Sequence, residues 1–522
     1  MDAPEPDTAA TGLLHTALAL FAILVFALLL RVFSLPWESP SRDETRFIAQ
    51  IESSTVSGLW GDFESTDPKV RLTPVPYLAW NLWARLLGNS VPVLRMFPVV
   101  CSIGMVCLLF LLARPLYGAH AALVSASMAA VSLPHIFQAQ AISPDAMIGL
   151  LALASLYAFS RAVHGAGYWA WAALILVDTI IPWTHPAAAL AWIPQAVFLA
   201  VFRRHWRTRV LAWGVGHAGL LALFAGWVDF SGHLPRPEAI GVAASPKDIV
   251  DLLLVFSGGR FSSADPAGYM REGASFDRIL AAGLFFMLVA DTVRSFRSMN
   301  DPEPTPEARR AASEAWFFWA LWAMLPPCAL ALANLGWGQA FDVHLVLFAS
   351  LALYLPAGRV LTSGSPPAAR AALAAAFLAM FAAQLTVIPG GLRPDYRAAA
   401  DFLIRNGQPK DSILVFGAHN AEALEFDSPM SRERIESFAD REALIGRASY
   451  RLVHASGVWL VTCDPQDPEP LETGLKAREI AFRRFEFGGH PPVRVYWLRW
   501  DEPAGDAMIA LLMSQDGAPS RL

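Results

Sequence analysis

LLHTALALFAILVFALLL, residues 13–30, decides the fold. Eighteen residues pass without one formal charge, enough to cross a bilayer as a helix when the flanking residues are included. The preceding segment MDAPEPDTAAT (1–11) is acidic and lacks the basic start of a secretory signal. The run is therefore expected to remain as a membrane anchor. Similar runs recur near 91–113, 119–138, 144–163, 168–184, 186–202, 208–230, 277–293, 314–335, 341–358 and 370–390. Eleven spans make a polytopic α-helical membrane protein the expected class. The composition agrees. With 55% hydrophobic and 16% charged residues, 522 residues cannot hide their apolar surface in one water-soluble core.

The mild net charge of −5 argues against a nucleic-acid partner and leaves membrane lipid as the expected one. Four scattered cysteines give neither a disulfide framework nor a zinc site. Orientation follows from Lys and Arg in the short connections. With the N-terminus in the cytoplasm, the inner connections collect Arg114, Arg161, the RRHWRTR cluster (203–209), Arg294, Arg297, Arg309, Arg310, Arg359 and Arg370. The short outer connections near 139–143, 185 and 336–340 hold none. This leaves a first outer loop at 34–90 and a second at 231–276, inside a membrane domain of residues 1–390.

From about residue 391 the chain changes character. The helix-like DYRAAADFLIRNG (395–407) is followed by the strand-like SILVFG (412–417), GVWLVTC (457–463) and VRVYWLRW (493–500). Alternating helix and strand predicts a small extracytoplasmic α/β domain over 391–522 with a loose tail.

The first outer loop opens with SRDETRFIAQ (41–50). Paired carboxylates just past a span can act as a general base, hold a divalent metal ion or cap a helix. Asp43 and Glu44 are the candidates for all three, with Arg46 beside them to meet an anion. Phe47, Ile48 and Ile51 give the following helix one apolar face. In SPDAMIG (143–149), Asp145 stands at the outer start of a span, with Ser143 a plausible N-cap and Pro144 at the first helical position. Asp145 is either a helix-dipole residue or a second carboxylate of the same outer cavity. Lys69 and Arg71 are outer-loop cations suited to phosphate. His185, between turn residues, and His344, near an outer span end, are further candidates to line a cavity. Asp178 and Asp229 lie inside apolar runs with no partner that the sequence identifies. GVGHAG (214–219) fits a dinucleotide-binding pattern, but it sits within an apolar run without a βαβ context. Close helix packing is the expected use of its small residues.

RDETRF after the first span, RLTPVPYLAW (71–80) and SPDAMIG together resemble the membrane glycosyltransferases of the GT-C type. The nearest resemblance is to bacterial relatives of the protein O-mannosyltransferases and of the lipid A aminoarabinose transferase. RPDYRAAADFLIRNGQPKDSILVFG (393–417) looks like the start of their outer soluble domain. The resemblance implies a polyprenyl-phosphate-linked sugar as donor and a lipid, glycan or protein acceptor. It also implies transfer with inversion on the periplasmic face of a bacterial inner membrane. It gives Asp43 the catalytic position, with Glu44 and Asp145 as its carboxylate neighbours. The chain departs from the family pattern at Leu72 and Thr73, where a Glu-Lys pair is frequent, and at FDVH (341–344), where Arg-Tyr is frequent. Lys69, Arg71 or His344 would then replace the missing cations at the lipid phosphate. Two other classes compete: a flippase of a lipid-linked substrate, which needs mid-span charges and broken helices, and a membrane-anchored scaffold.

Overall fold

In a computed structural model, residues 6–33, 42–53, 68–203, 206–231, 287–297, 305–337, 343–362, 394–426, 434–454, 457–463, 469–488 and 492–500 are described, with single positions between. The chain divides into two compact units. One takes in Met1–Pro36, Phe47–Phe261 and Tyr269–Thr386, and the other Trp37–Arg46, Ser262–Gly268 and Val387–Leu522.

The first unit is helical. Its elements begin with α1 (Pro6–Val32), α2 (Arg42–Ser53, of which Phe47 onward belongs to this unit), α3 (Pro68–Leu72), α4 (Pro74–Leu87), α5 (Val91–Val131) and α6 (Leu133–Ala139). They continue with α7 (Asp145–Val163), α8 (Tyr168–Thr184), α9 (Trp192–Phe202), α10 (Arg207–Phe230), α11 (Pro306–Trp337) and α12 (Leu351–Thr362). Two 3₁₀ segments, Pro186–Ala191 and Val343–Ser350, lead into α9 and α12.

Among the described residues, five helices are long and apolar enough to cross a membrane: Gly12–Val32, Val91–Val131, Asp145–Val163, Arg207–Phe230 and Arg309–Leu332. The segments Pro186–Phe202 and Val346–Thr362 are apolar but shorter. At 17 residues, α8 spans about 25 Å. The expected spans at 277–293 and 370–390 lie mostly outside the described residues. Spans 91–113 and 119–138 meet in one element, α5, whose continuity is broken at Gly118 with φ 85° and ψ 172°. Only glycine enters that conformation without a Cβ penalty, so the break falls there, just after Arg114 and Pro115. The outer surface of α1 is apolar: Leu13, Phe21 and Leu29 are more than half exposed, as lipid-facing side chains are.

Packing in this unit runs through small residues and shared hydroxyls. Ser125 Oγ donates to Tyr354 O at 2.8 Å, and Tyr354 Oη donates to Ser132 Oγ at 3.0 Å, tying α12 to α5. At Gly358 a Cβ would meet Ser125 Oγ and, at 2.5 Å, the Ala121 carbonyl, so the two backbones approach as only glycine permits.

The second unit has a five-stranded sheet in the order β2-β1-β3-β5-β4. Its strands are β1 (Ser412–Phe416), β2 (Ile435–Phe438), β3 (Val458–Thr462), β4 (Ile480–Phe487) and β5 (Val493–Trp500). β1 pairs in parallel with β2 and β3, while β5 pairs antiparallel with β3 and β4. Both faces are covered, as the parallel part requires. Ile413, Val415, Trp459 and Val461 join Leu403 of α13 (Tyr396–Asn406) and Leu424 of α14 (Ala418–Phe426). Leu414 and Leu460 face the other way, onto Leu444 of α15 (Arg441–His454) and Leu475 of α16 (Glu469–Lys476). The Asp395 carboxylate caps α13 by accepting from the Ala398 amide at 2.9 Å, and Gly407 closes it. β2 and β4 were not legible in the sequence. Both are edge strands, and β4 (IAFRRFEF) carries the charges that edges tolerate.

Candidate active site

The acid pair opens α2. The sequence RDETRFIAQIES places Glu44, Phe47, Ile48 and Ile51 at i, i+3, i+4 and i+7, one stripe of a helix. All four are buried, Glu44 to 2% exposure, while Arg46 is exposed. Asp43 lies in the first turn, where the macrodipole favours a carboxylate. The side chains of Asp43, Lys69 and His344 lie outside the described residues.

Aromatic packing fixes where α2 sits. Phe47 packs on Tyr77 at 4.7 Å and edge-on against Trp80 at 5.3 Å between ring centroids. Trp80, fully buried, packs in turn on Phe97 at 4.2 Å and donates its Nε1 proton to Leu94 O at 3.2 Å. Asn81 Nδ2 donates to Ile51 O at 2.9 Å, satisfying a carbonyl in the last turn of α2. The cluster also contains Val70 of α3 and Ile142 of the α6–α7 connection. The apolar face of α2 from Phe47 onward and the loop leading to Asp145 therefore share one core.

Asp145 is the first residue of α7 and is half-buried. The sequence assigned the N-cap to Ser143, and this is corrected. Pro144 occupies the cap, and Ser143 Oγ donates instead to Asp145 Oδ2 at 2.9 Å. The Ser hydroxyl orients the carboxylate rather than an orphan amide.

Two buried guanidiniums escaped the sequence reading. Arg31, in the last turn of α1, is fully buried. Its Nε donates to Ser102 Oγ at 2.8 Å, Nη1 to Ala27 O at 3.0 Å and Ala130 O at 2.8 Å, and Nη2 to Ala129 O at 3.3 Å. Gln140 Nε2 donates back to Arg31 O at 3.2 Å, so the end of α1 is tied to the α6–α7 connection. Arg95, also fully buried, donates from Nη1 to Leu35 O at 3.2 Å. His135 completes this polar layer through Nε2 and Ser350 Oγ at 2.9 Å. A signal did exist. An arginine at the edge of an apolar run, such as Arg31 after residues 13–30, is buried only at a cost and so needs a reason.

The remaining candidates separate. Arg71 is half-buried, and its carbonyl accepts from Trp227 Nε1 of α10 at 3.0 Å, which anchors α3. His185 belongs to another neighbourhood. Its Nδ1 accepts from the Ala187 amide at 3.1 Å, capping the 3₁₀ segment, and its neighbours Ile181 and Ala188 pack with Ile148 and Trp192. Among the described residues no three His, Cys, Asp or Glu side chains converge.

Asp178, which the sequence left without a partner, has two. Its Oδ1 accepts from Ser155 Oγ at 2.6 Å and its Oδ2 pairs with His217 Nε2 at 2.9 Å. His217 is the histidine of GVGHAG, which lies wholly inside α10; the expected close packing of its glycines is not seen, since a Cβ at Gly214, Gly216 or Gly219 would meet nothing within 4 Å.

Residues 71–228 match the family model described as dolichyl-phosphate-mannose-protein mannosyltransferase. The match runs from Arg71 to Val228 and does not include Asp43 and Glu44. A search of curated proteins gave no match. Among solved structures, the chain is similar to ArnT from Cupriavidus metallidurans in the apo state, with 13% identity and a TM-score of 0.47. That match covers 94% of this chain and 98% of that one. The oligosaccharyltransferase of Archaeoglobus fulgidus in the apo form is similar at 13% identity and a TM-score of 0.48, over 85% of this chain and 69% of that one. The arabinofuranosyltransferase AftD from Mycobacteria is similar at 16% identity and a TM-score of 0.42, over 92% of this chain and 41% of that one.

Proposed function

We propose that this chain is an integral membrane glycosyltransferase. It moves a sugar from a polyprenyl-phosphate donor to a hydroxyl of a lipid, glycan or protein acceptor on the non-cytoplasmic face. The observation that carries the reading is the setting of α2. An acid pair opens a helix whose apolar face is clamped on α4 and α5, in the same core as the loop that delivers Asp145. The family-model match over residues 71–228 supports the reaction class.

The chemistry asks little beyond placement. The acceptor hydroxyl loses its proton to a carboxylate, and its oxygen attacks the anomeric carbon. The bond from that carbon to the phosphate oxygen breaks, and polyprenyl phosphate departs with the electron pair. A single displacement of this kind inverts the anomeric centre. Asp43 is the proposed base. Glu44, buried on the packed face, and Asp145, oriented by Ser143, hold the local charge. Arg46, Arg71 and Lys69 are the proposed partners of the leaving phosphate, where charge-assisted hydrogen bonds are strongest. The apolar tail of the donor explains why the enzyme is embedded.

The test is sugar transfer by the purified, reconstituted protein from labelled polyprenyl-phosphate sugars. A general base contributes about 10²–10⁴-fold, so Asp43→Asn is expected to lower turnover by at least about 100-fold while the protein still inserts and folds. Transfer at the parental rate by Asp43→Asn removes Asp43 from this role. The flippase reading draws on one observation, the mid-span position of Asp178. Labelled sugar that crosses a vesicle without being transferred decides for it.

A further inference from the structure

A groove of about 590 Å³ lies between α8 and α10, away from α2. Its lining is apolar: Trp171, Leu174, Ile175, Ala212, Gly216 and Leu220. The far end is closed by Asp178 and His217, whose 2.9 Å contact pins the two walls together. The near end reaches the α7–α8 connection at Gly165 and Gly167, and Arg209 of α10 lines it there.

Three features fix what the groove is built to take. Tyr168 and Trp169, at the near end, are 93% and 87% exposed. Aromatic side chains so exposed in a membrane-spanning chain mark the level of the lipid headgroups. Ile175 and Leu176 on α8, with Leu211 and Val215 on α10, are each more than 60% exposed, so both walls border on lipid. Arg161, Arg207 and Arg209 are exposed at the same end, and no carboxylate pairs with them among the described residues. Arg209 is steadied by the Trp206 ring, 4.6 Å from its guanidinium carbon. From Tyr168 to Asp178 the groove runs about 15 Å along the helix axis, the depth of one bilayer leaflet.

We propose that this groove is a binding site for an anionic glycerophospholipid. Its phosphate meets Arg209 at the headgroup level, and one acyl chain lies between α8 and α10 as far as the Asp178–His217 pair. Basic pockets between membrane helices select anionic headgroups in this way. The site stands apart from the donor site proposed above and does not depend on it. A resident lipid would brace α10, whose outer end holds α3 through Trp227 and the Arg71 carbonyl.

The experiment uses the full chain, delipidated in detergent and offered phosphatidylglycerol or phosphatidylcholine of identical chains, with bound lipid read by native mass spectrometry. The parent is expected to retain phosphatidylglycerol in preference. One arginine near the surface is worth roughly a fivefold change in affinity, so Arg209→Gln should weaken phosphatidylglycerol by about that factor and leave phosphatidylcholine unchanged. Arg209→Lys should keep the preference. Gly216→Leu fills the groove, and since a Cβ there meets nothing within 4 Å, the helix tolerates it. That variant should lose both lipids. Equal retention of the two lipids by the parent overturns the proposal, as does undiminished phosphatidylglycerol binding by Arg209→Gln or Gly216→Leu. A Gly216→Leu protein that no longer elutes as a single folded species contradicts the open groove and overturns it equally.

Discussion

Removing His217 gives the most discriminating test of the helical unit. Asp178 is fully buried in the middle of α8, and its carboxylate has two side-chain donors, Ser155 at 2.6 Å and His217 at 2.9 Å. Ser155 is itself held by Gln195 Nε2 at 2.7 Å, so the pair joins α7, α8, α9 and α10. Two magnitudes compete. A neutral hydrogen bond between membrane helices is worth about 0.6 kcal/mol, with a ceiling near 1.7. Breaking a buried charged pair by deleting one partner costs about 3–5 kcal/mol, because the survivor stays buried and uncompensated. The larger value applies if the pair is ionised, the smaller if it is neutral. Asp178 has no exposed surface through which water could replace the imidazole. If the pair is ionised, His217→Leu loses about 3–5 kcal/mol in reversible detergent unfolding of the full chain, and a loss near 0.6 kcal/mol marks a neutral hydrogen bond. The double variant Asp178→Asn/His217→Leu should recover more than half of that, since no charge remains to be stranded. A loss below about 2 kcal/mol for His217→Leu, or strictly additive effects in the double variant, refutes the charged-pair argument.

Other outcomes follow from the packing. Trp80→Ala should cost about 3–5 kcal/mol in the same assay and lower sugar transfer, because α2 loses the ring that Phe47 packs against. Gly358→Ala should destabilise by about 1–3 kcal/mol, as its Cβ would overlap the Ala121 carbonyl and push α12 off α5. In the second unit, Arg447 and then Arg451 donate to Glu436 and hold its carboxyl below the usual range. A depressed carboxylate stabilises the fold above its unfolded pKa, and that contribution disappears as pH falls through the folded value. Resistance of this unit to proteolysis should drop on acidification from about pH 5 in the parent, and Glu436→Gln should remove that part of the pH dependence.

The helices that cross the membrane were legible because each carries its own evidence. A span must satisfy its backbone internally and face lipid with apolar side chains, so length and composition reveal it locally. The α/β unit was half legible by the same logic. Its central strands SILVF and VWLVT are buried on both faces and read as apolar runs, whereas the edge strands hide among charges. For the site, the sequence supplied the acid pair, Asp145 and the apolar stripe after Glu44. Those are properties of one helix and its first turn.

Tertiary structure decided what depends on residues far apart in the chain. Arg31 meets Ala130 across 99 residues, Asp178 meets His217 across 39, and His135 meets Ser350 across 215. No local pattern announces such pairs, because a buried charge is made tolerable only by the partner that the fold brings to it. Sequence alone fixed the membrane setting, the position of the acids at the head of α2 and the helical nature of GVGHAG. The fold chose which polar residues became partners, since desolvation penalises each of them until packing completes the pair.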